Sequence, residues 1–151
     1  MKQIIPSTSL PNGLRGIYAL NPIGDHRVRA LAHQAANQIA TDFPDAAGVA
    51  PHMTGTDDRA LFIENEDGEI VALLVWLMWD AGSGWIGTVW THPDYRKLGL
   101  YARMYEALKS EAKEENMTLL GCGVEMANTI SRSVHEALGM IASSITYCEA
   151  I

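Results

Sequence analysis

Val89-Trp90-Thr91-His92-Pro93-Asp94-Tyr95-Arg96-Lys97-Leu98-Gly99-Leu100-Tyr101 is the stretch that decides the architecture of this chain. An apolar strand pattern runs into a Pro-containing turn and a basic, glycine-bearing loop. Apolar residues then recur at Leu100, Met104, Leu108 and Ala112 with helical spacing. Strand, loop and helix in that order leave the first backbone N–H groups of the helix without intrahelical partners, pointing into the loop. Those donors, the positive end of the helix dipole and the side chains of Arg96 and Lys97 make an anion site suited to a pyrophosphate. Gly99 permits close backbone approach or a positive φ. The same residues also read as an ordinary strand-to-helix connection with a solvated Arg-Lys pair, and the stretch alone does not separate the two.

A second segment adds to the first. Val124-Glu125-Met126-Ala127-Asn128 follows a strand pattern, then comes Ser131, then His135-Glu136-Ala137-Leu138-Gly139-Met140. With both segments in this order, the chain resembles the GNAT family of N-acetyltransferases, which move an acetyl group from acetyl-CoA to an amine. The family's signature is Arg/Gln-x-x-Gly-x-Gly/Ala at the start of the central helix, and Arg96 to Tyr101 fits it except at the last position. The spacing from Asn128 to Gly139 is similar to the family's run from Asn to Gly-Phe, with His135 where a Tyr is usual and Met140 in place of Phe. The resemblance is specific over about residues 85–145 and only topological before that.

The resemblance implies roles residue by residue. Arg96, Lys97, Leu98, Gly99, Leu100 and Tyr101 would form the pyrophosphate loop. The backbone of Val89, Trp90 and Thr91 would pair with the pantetheine amides, as any strand edge can. Asn128, with Ser131 behind it, would meet the pantetheine arm where two parallel strands part, while also serving as an N-cap. His135 would protonate the departing CoA sulfur. Many relatives place a Glu on the strand before the loop as base, but Trp85 to Thr91 contains no carboxylate. Glu125 is the expected substitute and Asp80 a second candidate, and either reads equally as a solvated strand-end charge. Tyr101 departs from the usual Gly or Ala: it either turns its ring away or narrows the site and contacts the cofactor. These roles imply direct acetyl transfer to a primary amine, on a small molecule or a peptide. The changes at Tyr101 and His135 keep open an inactive CoA-binding regulatory or interaction module.

The chain has 151 residues, 48% hydrophobic and 19% charged, which suits one folded domain over residues 1–151 with a substantial core. A net charge of −7 disfavours nucleic acid and anionic membrane as partners, so a CoA site must be a local basic patch on an acidic body. Cys122 and Cys148 lie in apolar runs and read as reduced core residues, which fits a cytoplasmic protein. No apolar leader follows Met1, and Leu73 to Trp79 is too short to cross a bilayer. The five histidines include no His-x-x-x-His pair and the cysteines no Cys-x-x-Cys pair, so no metal is expected.

Along the chain, residues 1–13 read as an irregular lead-in and Gly16 to Leu20 as a short strand. Asp25 should cap a helix with apolar Val28, Leu31, Ala35 and Ile39, ending before Phe43-Pro44. Residues 44–58 read as a loop with one short helix at most. Ala60–Glu64 and Glu69–Asp80 flank the turn Asn65-Glu66-Asp67-Gly68, and a second turn at Ala81–Gly84 leads into a strand from Trp85 to Thr91. Gly82-Ser83-Gly84-Trp85-Ile86-Gly87 matches G-x-G-x-x-G literally, but it joins strand to strand and so cannot present a helix N-terminus to a dinucleotide. A helix from Gly99 to Glu115, a strand from Thr118 to Glu125, a helix capped by Asn128 and stopped by Gly139, and one further strand in 140–151 complete the reading. The expected fold is α/β (α+β): a mixed sheet of the GNAT kind, an antiparallel meander followed by a βαβ unit, flanked by helices. The short tail leaves either a shorter sheet or an edge completed by a second copy, and the homodimer is the expectation.

Overall fold

A computed structural model describes residues 1–6, 9–20, 24–43, 58–124 and 126–143. Six strands lie in sequence order across one sheet: β1 (Lys2–Pro6), β2 (Leu14–Leu20), β3 (Arg59–Asn65), β4 (Ile70–Asp80), β5 (Ser83–Thr91) and β6 (Leu119–Cys122). Pairing is antiparallel from β1 through β5 and parallel between β5 and β6. The helices are α1 (His26–Asp42), α2 (Leu100–Glu114) and α3 (Thr129–Ala137), and α2 is the crossover that lets β6 run parallel to β5. The expected meander and βαβ unit are both present.

β3 and β4 carry the core because the sheet is covered on both faces. On one face Leu61, Ile63, Ala72 and Leu74 pack with Leu100, Met104 and Leu108 of α2. On the other, Ala60, Phe62, Leu73 and Val75 pack with Val28 and Ala32 of α1. Alternating residues of one strand therefore serve two different helices, which explains why Leu73–Trp76 is continuously apolar. The hairpin turn closes as its residues dictate. The Asn65 side-chain oxygen accepts from the N–H groups of Asp67 (3.1 Å) and Glu69 (2.9 Å), and Gly68 takes φ +80°. Asp25 caps α1 by accepting from the Arg27 N–H at 2.8 Å, and Arg27 reaches Glu64 at 3.3 Å, tying that helix end to β3.

Four boundaries differ from expectation by more than one residue. Residues 1–13 are not irregular throughout: Lys2–Pro6 is an edge strand paired with β2. Gln3-Ile4-Ile5 is too short to show periodicity, and Pro6 is tolerated because it ends an edge strand. β2 starts at Leu14, and a register shift beside Gly16 accompanies a φ of +139° there. A Cβ on Gly16 would stand 2.5 Å from the Ile5 carbonyl oxygen. The turn after β4 is shorter than Ala81–Gly84, since Ser83 and Gly84 already pair with Leu119 and Leu120. β6 ends at Cys122 rather than Glu125. The tail strand, Cys148, His52 and the segment 44–57 lie outside the described residues, and Met140–Ser143 carry no strand. Among the described residues no helix is long and apolar enough to cross a membrane.

Candidate functional site

The parallel ladder joins Ser83 to Leu119 and continues only as far as Ile86 with Cys122. β5 runs on through Val89, Trp90 and Thr91, held on one side by Leu74, Leu73 and Ala72 of β4. On the other side, among the described residues, β6 no longer accompanies it. Among the described residues, Val89, Trp90 and Thr91 thus have no strand paired on the β6 side, an edge of the kind that a ligand's amides can pair with.

The loop after β5 is built tightly. His92 Nδ1 accepts from the Asp94 N–H at 3.3 Å, Pro93–Tyr95 form one 3-10 turn, and the His92 ring meets Trp90 and Tyr95 edge-on at 5.9 and 5.7 Å. His92 is thereby a turn-forming residue. Arg96 Nε donates to the Thr91 carbonyl at 3.2 Å, which anchors the guanidinium beside the end of β5. Lys97 and Gly99 both take left-handed conformations, φ +64° and +70°. A lysine held there costs about 1–3 kcal/mol, and such strain clusters at ligand clamps. Gly99 is the N-cap of α2 and supplies no side chain to its free N–H groups, and a Cβ at Gly99 would meet no atom within 4 Å. Uncapped donors, an open cradle and exposed cationic side chains at Arg96 and Lys97 fit a pyrophosphate. Leu98 is exposed, whereas Leu100 is buried and fixes the first turn of α2 against the core.

Tyr101 does not point away from the site's other elements. Its hydroxyl lies 2.9 Å from His135 Nε2 on α3, with the rings 5.4 Å apart, and its ring also tilts against Tyr105. Burial, assisted by the neighbouring Cys122 and Tyr105, pushes the Tyr101 phenol well above its ordinary range, so it holds its proton at neutral pH. His135 Nδ1 lies 2.7 Å from the Ser131 carbonyl oxygen and 3.4 Å from the Ser131 hydroxyl. A carbonyl can only accept, so Nδ1 carries the hydrogen and a neutral ring accepts at Nε2 from the phenol. Ser131 N–H in turn donates to Asn128 Oδ1 at 3.0 Å, making Asn128 the N-cap of α3. A chain of hydrogen bonds therefore runs from Asn128 through Ser131 and His135 to Tyr101, joining the start of α3 to the start of α2. The far end of α3 closes with Gly139 at φ +82°, Met140 N–H donating to His135 O at 3.1 Å and Gly139 N–H to Glu136 O at 2.9 Å.

Asp80 stands apart from the loop. It lies opposite Ser83, at the end of β5 remote from Thr91, and eight residue steps of strand put it roughly 26 Å away. Its carboxylate accepts from the Gly82 N–H at 2.9 Å, and that bond, then Ser83, lowers its pKa. Glu125 lies outside the described residues. Cys122 is half-buried, and burial raises its thiol pKa.

The sequence profile of the acetyltransferase (GNAT) family matches residues 26–140. Among solved structures, a variant of the BH1408 protein of Bacillus halodurans superposes with TM-score 0.70 at 17% identity, covering 89% of this chain and 98% of that one. A ribosomal-protein-alanine N-acetyltransferase from Brucella melitensis biovar Abortus 2308 gives 0.65 at 16% identity, covering 91% and 99%. An aminoglycoside antibiotic 6'-N-acetyltransferase from Acinetobacter baumannii gives 0.59 at 14% identity, covering 90% and 99%. At such identities the likeness is one of fold. No curated protein matches the sequence.

Proposed function

Since the chain belongs to the GNAT family of acetyltransferases, we propose that it transfers an acetyl group directly from acetyl-CoA to a primary amine. The observation that carries this reading is the parting of β5 from β6 beside a doubly left-handed loop that opens α2. The loop from Arg96 to Tyr101 would hold the pyrophosphate through its N–H groups and the cations of Arg96 and Lys97. The exposed edge of Val89, Trp90 and Thr91 would align the pantetheine arm. Asn128, whose Oδ1 is engaged by Ser131 N–H, would meet the arm through its Nδ2. Acetyl-CoA supplies the activated acyl group, and the protein's share is orientation and proton traffic.

The acceptor must shed a proton as it attacks, and Glu125 is the proposed base. Glu125→Gln should lower turnover roughly 10²-fold with little change in acetyl-CoA affinity; a rate near that of the parent would hand the proton to water or another group. The thiolate needs a proton in turn, and the Tyr101–His135 contact supplies the acid. The acceptor is an amine on a small molecule or a peptide. Solved neighbours include proteins titled as acting on aminoglycosides and on ribosomal-protein alanine, two chemically distant acceptors.

Two measurements test the reading. Arg96→Ala should weaken acetyl-CoA binding by about 1.5–3 kcal/mol in calorimetry if its guanidinium meets phosphate, whereas unchanged affinity would remove the loop from the binding site. Thiol release from acetyl-CoA across polyamines, aminoglycosides and peptide N-termini identifies the acceptor. A second reading rests on the bulk of Tyr101 at the mouth of the loop: a CoA-binding module without turnover, which tight binding and no thiol release with any amine would favour.

A further inference from the structure

We propose that the group facing the departing sulfur is the Tyr101 hydroxyl, with His135 acting behind it as a positioning residue and proton relay. The inference rests on the acetyl-transfer reading above and names the acid within it. Its ground is an inventory of hydrogen-bonding capacity. Both nitrogens of His135 are engaged, Nδ1 by the Ser131 carbonyl at 2.7 Å and Nε2 by Tyr101 at 2.9 Å. No ring nitrogen is left to meet a substrate atom. A phenolic oxygen, by contrast, donates one hydrogen while accepting another, so Tyr101 can take a hydrogen bond from an imidazolium and give its own to a third atom. Tyr101 also stands in the first turn of α2, where the helix dipole favours negative charge developing on its oxygen. Its electrostatic neighbour is Cys122, the last residue of β6 before the two strands part.

Neither group suffices alone. A thiol titrates near about 8.5, a phenol near about 10 and an imidazolium near about 6.5, so a phenol by itself gives its proton to a thiolate uphill. Burial of Tyr101 steepens that slope. With imidazolium behind it, the overall transfer from ring nitrogen to sulfur runs downhill. The amine nitrogen forms its bond to the carbonyl carbon and the C–S bond breaks, its electron pair going to sulfur. Sulfur takes the Tyr101 proton as Tyr101 Oη takes the proton on His135 Nε2. The Nδ1 hydrogen stays on its nitrogen, donated to the Ser131 carbonyl oxygen, and the ring recovers its second proton from water. The proton lost by the amine leaves separately, so one amine and one thioester give one amide and one thiol.

The test is Tyr101→Phe, which keeps the ring and removes only the hydroxyl. With acetyl-CoA its turnover should fall roughly 30-fold or more, while acetyl-CoA affinity by calorimetry stays within about threefold. The acetyl selenoester of the selenium analogue of CoA has a leaving group that departs without protonation, and with it the penalty should shrink to about threefold or less. His135→Gln, which can still hold the hydroxyl but carries no proton to relay, should show the same dependence on leaving group. A Tyr101→Phe rate within about threefold of the parent on the thioester overturns the proposal, as does a loss of equal size on both donors, which would assign Tyr101 to packing. Failure of the parent protein to bind acetyl-CoA would instead overturn the acetyl-transfer reading, and this one with it.

Discussion

Phe62→Ala is expected to lower the free energy of unfolding by about 3–5 kcal/mol, the range for deleting a fully buried aromatic ring. Phe62 is wholly buried in the middle of β3, stacked on Tyr18 with ring centroids 5.4 Å apart and packed beneath α1 with Val28, Ala32, Leu73 and Val75. β3 lies between β2 and β4, and its neighbours Leu61 and Ile63 face the other core under α2. The backbone at Phe62 is thus held from both sides, so the site collapses little and the cavity term stays large. Urea denaturation would show the loss as a lower midpoint at unchanged slope. A cost under about 1.5 kcal/mol would mean that α1 settles into the space and that its packing on the sheet is loose.

The parts of this fold that can be read from sequence are those whose cause is local. Asp25 and Asn128 cap their helices through atoms two or three residues away, and Asn65 to Gly68 carries its whole turn within four residues. Gly139 stops α3 through backbone bonds reaching back only to His135 and Glu136. The loop after β5 is contiguous in the same way, with the left-handed Gly99 standing directly before an amphipathic helix. β1 is the counterexample. Lys2–Pro6 becomes a strand only because β2 offers an edge to it, and nothing within five residues of sequence records that edge.

The site divides along the same line. The proposed anion loop is contiguous from Arg96 to Tyr101, so its candidate residues can be named from the sequence alone. Asp80 is different: only the direction of β5 shows that it stands at the opposite end of the strand from the loop. The Tyr101–His135 bond joins residues 34 positions apart on two helices, so no spacing rule finds it. The two departures from the family pattern looked independent in sequence. In space they are partners: the Tyr at the loop stands against the His where a Tyr is usual, which places a phenol beside α3 from the other side.

Gly99→Val should cost more in acetyl-CoA affinity than Arg96→Ala, and it should do so through two effects that can be measured apart. Gly99 sits at φ +70°, where a β-branched residue is a genuine outlier, so the free protein should lose about 1–3 kcal/mol of stability or reshape the loop. No protein atom lies within 4 Å of the Cβ position, so that loss comes from backbone strain and not from a clash. The space a valine would fill is the cradle in front of the first N–H groups of α2. If it displaces two charge-assisted hydrogen bonds to phosphate, each worth about 1.5 kcal/mol or more, affinity falls roughly 10²-fold. Gly99→Asn separates the effects, because asparagine tolerates the left-handed region yet still places a side chain in the cradle. The expected pattern is a stability near that of the parent with an acetyl-CoA affinity lowered almost as far as in Gly99→Val. If Gly99→Asn instead bound acetyl-CoA as the parent does, glycine would be needed for its φ alone, and phosphate would not approach the backbone at this residue.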